Sequence, residues 1–227
     1  MNFTYYGQSC FSLKTGDYTL LFDPFITKNS LASKIDVNSI KADFILVSHG
    51  HFDHIDDAIT IAKNTGAKVI SNFEIGSWFE KNGYNNIHQM NTGGSWEFDF
   101  GKVKCVNAVH SSSLPDGSYG GTALGFVISS GGKNIYYSGD TALTMDMQLI
   151  PRRFKIDCCI LPVGDNFTMG YEDAAEAVKM VECKKAIGVH FDTFGYIKID
   201  HNKVSEHFSK NFIDFTLPQI GETIEIN

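Results

Sequence analysis

Apolar residues fall into short runs along the chain, and several of these runs end in histidine or aspartate. Near the N-terminus Phe3 and Tyr5 alternate with polar residues, and Cys10 to Leu13 follows. After the turn Thr15-Gly16-Asp17 the chain returns through Tyr18 to Phe22. This spacing predicts strands between residues 2 and 23, with Asp23 at a strand end because Pro24 cannot donate to a ladder. Phe44-Ile45-Leu46-Val47 is a continuous apolar run, the pattern of a strand buried on both faces. Residues 56 to 83 then predict helix, strand, helix. Ile59, Ile61 and Ala62 belong to the first helix, which Asp56-Asp57 enter and Gly66 closes. Lys68 to Ser71 is the strand, and Glu74 to Asn82 the second helix, closed by Gly83. His88 follows in a polar segment and reads as a surface histidine.

The second half repeats the scheme. Trp96 to Phe100, a turn at Gly101 and Lys102 to Val109 predict a hairpin whose return strand runs into His110. Ser111 to Ser113 and Gly117 to Gly121 make a polar loop, either a substrate rim or a plain connection. Ala123 to Ser129 and Asn134 to Ser138 flank Gly131-Gly132, a hairpin signal, and lead into Gly139-Asp140-Thr141. Asp157 to Pro162 predicts a buried strand. Glu172 to Glu182 predicts a helix with Ala174, Ala175, Val178 and Val181 inward. Ala186 to Val189 is another buried strand, and it ends in His190. His201 and His207 come later, the latter in a predicted helix, and both read as peripheral. Two such halves predict two sheets packed together with helices outside, and a site along one edge.

The chemistry concentrates in Ser48-His49-Gly50-His51-Phe52-Asp53-His54, in a loop between the buried strand and the next helix. Alpha/beta folds place their sites at such strand ends. His49 and His51 are two apart, so in extended backbone their side chains share one side and can bind one ion. Asp53 and His54 follow a change of direction and point to a second position nearby. The alternative is a surface histidine cluster or a hydrogen-bonded loop. Neutral imidazole is the commonest metal ligand, which favours the metal reading. His49 and His51 need a third imidazole to complete a set, and His110 at a strand end supplies one. His190 ends a strand in the same way. Asp140 is either a turn residue or a carboxylate held over the sheet edge, able to bridge two ions; Asp23 is either a turn acid or a supporting residue.

Composition narrows the partners. The chain has 227 residues, 43% hydrophobic, with a net charge of −7 and no run of basic residues, which argues against a nucleic-acid face. No stretch approaches the roughly 18 apolar residues of a membrane span, and the N-terminus lacks the features of a signal peptide. The five cysteines are odd in number and form no CxxC, so a reduced, cytoplasmic protein is expected. The length predicts one domain over residues 1–227, and a homo-oligomer stays open.

His49-x-His51-x-Asp53-His54, then His110, Asp140 and His190 in that order, resemble the metallo-β-lactamase superfamily over nearly the whole chain. Closer still is a similarity to the metal-dependent hydrolases related to ascorbate-phosphate lactonase. It rests on the N-terminal pattern, Gly139-Asp140-Thr141, Asn166-Phe167-Thr168-Met169-Gly170 and His190-x-x-Thr193-Phe194. The resemblance implies an α/β fold, a four-layer αββα sandwich of two mixed β-sheets with outer helices. It implies a two-metal site in which His49, His51 and His110 hold one ion, Asp53, His54 and His190 the other, and Asp140 bridges them. Asp23 matches the family's supporting acid. Asp53 and Asp140 are the carboxylates with a catalytic role, and Asn166, Thr168 and Thr193 are candidate substrate-rim residues. Zn is the first expectation for the two divalent ions, with Mn, Fe and Ni as alternatives.

The implied function is hydrolysis of a small-molecule ester, lactone or phosphate-containing substrate by hydroxide shared between the ions. A phosphodiesterase or nuclease, or a non-catalytic metal-binding protein, are the alternatives. The paired Asp53-His54 departs from secreted β-lactamases, and His51 stands where the oxygen-reducing relatives carry Glu. Many members of the lactonase branch have His after the first glycine; this chain has Gln8.

Overall fold

A computed structural model describes residues 1–227. The first half contributes β1 (Asn2–Gly7), β2 (Cys10–Thr15), β3 (Tyr18–Phe22), β4 (Phe44–Leu46), α1 (Phe52–Ile55), α2 (Ala58–Thr65), β5 (Lys68–Asn72), α3 (Phe73–Lys81) and β6 (Ile87–Met90). The second contributes β7 (Ser95–Phe98), β8 (Gly101–Asn107), β9 (Leu124–Ser130), β10 (Lys133–Tyr137), β11 (Cys158–Pro162), α4 (Tyr171–Met180) and β12 (Lys185–Val189). The chain ends with α5 (His201–Lys210), β13 (Asp214–Thr216) and β14 (Thr223–Glu225).

These strands form two seven-stranded mixed sheets, ordered β14-β1-β2-β3-β4-β5-β6 and β13-β12-β11-β10-β9-β8-β7. Helices cover the outer faces, giving the expected αββα sandwich. The two-residue side-chain period of a strand sorts the core into layers. Leu20 and Phe22 face the second sheet, while Leu21 between them packs in the separate cluster with Ile61 and Phe79 of α2 and α3. Phe44 and Leu46 divide from Ile45 in the same way. Between the sheets the packing is aromatic. Phe11 stacks on Phe22 at 4.5 Å, and Tyr137 of β10 meets both rings edge-on at 5.0 and 5.6 Å.

Strand direction explains the single functional edge. β3, β4 and β5 run parallel, as do β10, β11 and β12. β8 is antiparallel to β9, which is antiparallel to β10, so β8 points the same way as β10. The carboxyl ends of β3, β4, β8, β10 and β12 release Asp23, His49, His110, Asp140 and His190 respectively. The sheets meet at this edge through backbone bonds from His190 N to Gln8 O (2.8 Å) and from Leu124 N to Ser48 O (2.9 Å).

Several local expectations shift. The 48–54 segment is not all loop: Asp53 and His54 lie in the short helix α1, whose first turn redirects them away from His49 and His51. β8 stops at Asn107, three residues before His110. The polar segment around His88 is the edge strand β6, with His88 packed against Trp96 and Phe98 at 4.9 Å each. The short strands β13 and β14, one at the edge of each sheet, had no clear alternation to announce them. Gly66 closes α2 in the left-handed conformation at φ 74°, and Gly131 and Gly132 both take positive φ in the β9–β10 hairpin turn.

Phe11 is completely buried where the two sheets interlock. Phe11→Ala is expected to cost about 3–5 kcal/mol in denaturant unfolding, because neighbouring rings from both sheets cannot collapse into the space. A change under about 1 kcal/mol would contradict this account of the core.

Candidate metal centre

The strand ends bring the seven ligand candidates into one cluster. His49, His51 and His110 form one group of converging donor atoms, and Asp53, His54 and His190 another. A third group, His49, His54 and Asp140, joins them. Asp140 Oδ2 is the common point: it lies 3.0 Å from His190 Nε2, 3.2 Å from His54 Nε2, 3.8 Å from His110 Nε2 and 3.9 Å from His49 Nε2. Asp53 Oδ2 lies 3.4 Å from His54 Nε2 and 3.6 Å from His190 Nε2. His49 Nε2 and His51 Nδ1 approach to 3.0 Å.

The surroundings decide which ring nitrogens are free. Asp23, fully buried, accepts from Ser48 N (2.7 Å), Ser48 Oγ (2.6 Å), His54 Nδ1 (2.9 Å) and Tyr137 Oη (2.5 Å). The proton on His54 therefore sits on Nδ1, and Nε2 presents its lone pair to the centre. Ser48 Oγ gives its proton to Asp23, so it accepts from His49 Nδ1 at 3.0 Å, which frees His49 Nε2 as well. Gln8 Nε2 donates to Asp53 Oδ2 at 2.9 Å. Gln8 thus places a neutral donor on one carboxylate of the cluster.

Buried polar atoms without partners are costly, and this edge has two that belong to the cluster, His54 Nε2 and Asp140 Oδ1. Inward-facing imidazole lone pairs around two buried carboxylates suit divalent cations, which would satisfy them together. The electrostatics divide the rings into two sets. Burial holds His49, His51 and His110 below the ordinary imidazole range, leaving them neutral donors. Burial also opposes charge on His54 and His190, but the adjacent carboxylates, Asp140 foremost, outweigh it; His54 is raised well above its usual value and His190 to about 9. Burial works against ionised Asp53 and Asp140 too, yet the facing imidazoles hold both below the usual carboxylate range. The carboxylates thus attract positive charge into a buried pocket.

The centre forms the floor of a cleft of about 760 Å³. Of the rim candidates, Thr193 lines it; Asn166 lines a neighbouring cleft, and Thr168 lines neither. The loop from Ser111, read from sequence as either a rim or a plain connection, brings Ser111 into the cleft; sequence reasoning did not single out Ser48 or Tyr137 as supports, nor the cleft residues Phe52, Phe194 and Tyr196. Ser48, directly before the first histidine, was the available local signal; Tyr137 reaches Asp23 only through sheet packing. His201 pairs with Asp192 at 2.6 Å and His207 packs on Tyr171, both outside the cluster.

Asp23→Asn is expected to weaken metal binding about 10–100-fold in chelator competition, since the amide can no longer accept from every donor around it and His54 loses its orientation. An unchanged affinity in a folded variant would show that Asp23 does not position His54.

The Beta-lactamase superfamily domain model matches residues 18–191. A UPF0173 metal-dependent hydrolase of Christiangramia forsetii is 57% identical over the full length of both chains. Its counterpart in Flavobacterium johnsoniae is 54% identical, again over all of both. Among solved structures, Igni18, a metallo hydrolase of Ignicoccus hospitalis, superposes with a TM-score of 0.85 at 29% identity, covering 98% of this chain and 97% of the other. With a metal-ready cluster on this fold and relatives matched from end to end, the chain belongs to the metal-dependent hydrolases of the beta-lactamase superfamily.

Proposed function

We propose that the cluster holds two divalent cations and hydrolyses a small-molecule ester, lactone or phosphate-containing substrate. The observation that carries this reading is Asp140 Oδ2, within 4 Å of nitrogens from both imidazole groups. His49, His51 and His110 would hold one cation and Asp53, His54 and His190 the second, with Asp140 between the two groups. Bound cations supply a water of lowered pKa and polarise the oxygen of the group attacked. The imidazole-rich set suits Zn, with Mn, Fe and Ni as the other candidates.

The protein's own part is placement. The chain from His49 through Ser48 to Asp23, and the bond from His54 to Asp23, fix two rings before any ligand arrives, so little reorganisation is left for the reaction. Asp53 is the more exposed of the two cleft carboxylates, and its Oδ1 makes no hydrogen bond within the protein. In this reading Asp53 Oδ1 takes the proton of the attacking water and returns it to the leaving group. Asp140 lies deeper and acts by charge. Five buried, unpaired cysteines fit a reducing, cytoplasmic setting, and no helix is long and apolar enough to cross a membrane.

Protein purified without chelator should approach two transition-metal ions per chain by elemental analysis. Asp140→Asn keeps the shape but loses the charge and most of the bridging ability. It should lower the metal content and cut turnover by at least about 100-fold, with the fold intact. Full loading and wild-type rates in this variant would remove the bridging role. Turnover in ¹⁸O-water should place one solvent oxygen in the product. A requirement for oxygen or flavin, with no label incorporated, would replace hydrolysis by redox chemistry.

A further inference from the structure

The walls of the cleft differ in kind from its floor. Above the cluster stand four aromatic rings from three segments: Phe52 at the start of α1, Phe167 in the loop after β11, and Phe194 and Tyr196 in the loop after His190. They form two pairs. Phe52 faces Phe194 at 6.1 Å, and the buried Phe25 supports both at 5.7 and 6.4 Å. Phe167 meets Tyr196 at 6.2 Å, nearly perpendicular. These rings are costly in water: Phe52 and Phe167 are each 50% exposed and Tyr196 is 79% exposed. Large exposed aromatics gathered around a concave site mark a surface that is covered when the protein works.

Equally telling is the charge of the wall. The carboxylates and imidazoles lining the cleft are His51, Asp53, His110, Asp140 and His190, all from the cluster; no lysine or arginine lines it. The uncharged polar groups there are the hydroxyls of Ser111, Thr193 and Tyr196. Lys198 and Lys203 line a neighbouring cleft that shares only Tyr196 with this one. Recognition of a phosphate group relies on charge-assisted donors, arginine above all. A phosphoryl transition state also spreads charge over three oxygens, whereas a tetrahedral carbon centre develops a single oxyanion.

We infer that the substrate is a carboxylic ester or lactone whose non-reacting part is an uncharged aryl or alkyl group, seated between the Phe52–Phe194 and Phe167–Tyr196 pairs. The inference rests on the hydrolase reading and narrows its substrate class. In the reaction the oxygen of water bonds to the carbonyl carbon. The acyl C–O bond breaks with its electron pair on the leaving oxygen, which takes up the proton, giving acid and alcohol. Ring faces gain contact area with a flat or apolar tail, and burial of that tail removes exposed surface on both partners.

The test compares three lactones on the metal-loaded protein: γ-butyrolactone, its γ-phenyl derivative and phosphogluconolactone. The phenyl compound should exceed the parent in kcat/KM by about tenfold or more, and the phosphate-bearing one should be the poorest. Phe52→Ala and Phe194→Ala should raise KM for the phenyl lactone and collapse its advantage over the parent. Lys198→Ala should leave the phenyl lactone's kinetics unchanged. Equal rates for phenyl and parent lactones would overturn the inference and leave the hydrolase reading standing. So would a preference for phosphogluconolactone that Lys198→Ala abolishes. If none is hydrolysed, calorimetry with the two product acids decides. Binding of the phenyl acid over phosphogluconate, lost in Phe194→Ala, keeps the aryl site while the hydrolase reading fails. No preference between the acids overturns both.

Discussion

The carboxylate of Asp23 is the constraint on which the site depends. It is fully buried, and an isolated ionised carboxylate in such a place would cost several kcal/mol. Here it accepts from the backbone and hydroxyl of Ser48, from His54 and from Tyr137. Those donors come from the loop after β4, from α1 and from the second sheet, so one residue ties both sheets and the ligand segment together. Removing any donor leaves the others around a poorly satisfied charge, which makes the arrangement cooperative. The same bonds set the tautomers of His49 and His54. Sheet packing and metal-site preorganisation are therefore one network rather than two.

Backbone strain follows the same map. Asp23, Gln8 and His190 all take positive φ, at 41°, 53° and 56°. Non-glycine residues rarely stay there unless the surroundings over-determine them. The surroundings do so at each: Asp23 N bonds Leu46 O, and Gln8 O accepts from both Tyr5 Oη and His190 N. Gly139, just before Asp140, has φ 60° and an added Cβ would lie 2.5 Å from Leu124 O. A side chain there would push the shared carboxylate out of place. The chain thus bends sharply where β3, β10 and β12 hand over to Asp23, Asp140 and His190, and those bends turn three strand ends toward one point.

Much of this was legible in the sequence because it is local. The histidine-rich segment, the apolar run before it, and strands ending in His190 and at Asp140 are patterns of adjacent residues. Hidden features depend on residues distant in the chain. Tyr137 reads as an ordinary strand aromatic, and only packing against Phe11 and Phe22 brings its hydroxyl to Asp23. β6 carries His88 and Gln89, which look like loop residues, yet pairing with β5 makes them a strand. β13 and β14 are three residues each, too short to show a period, and are defined by their partners. The candidate rim residues separate in space for a related reason. Asn166 and Thr168 flank Phe167, and of the three only the ring reaches the cleft.

The division between floor and wall follows from how the fold is built. Most of the ligand candidates sit beyond strand ends, where buried neighbours hold them, and Asp53 and His54 sit in α1, which His54 ties to Asp23; the aromatic rings sit at the start of that helix and on two connecting loops. Strand ends fix geometry to within tenths of an ångström, and metal chemistry needs that. Loops can exchange side chains without disturbing the sheets, so they are where selectivity is set. Charge is divided in the same way: the carboxylates lie in the floor among the imidazoles, and the wall carries no cation of its own. The strongest attraction available to an incoming molecule is then the floor for its reacting oxygen and the rings for everything else. A polar or anionic tail would lose its hydration against those rings without gaining a partner, so exclusion from the wall shapes selectivity as much as attraction to it.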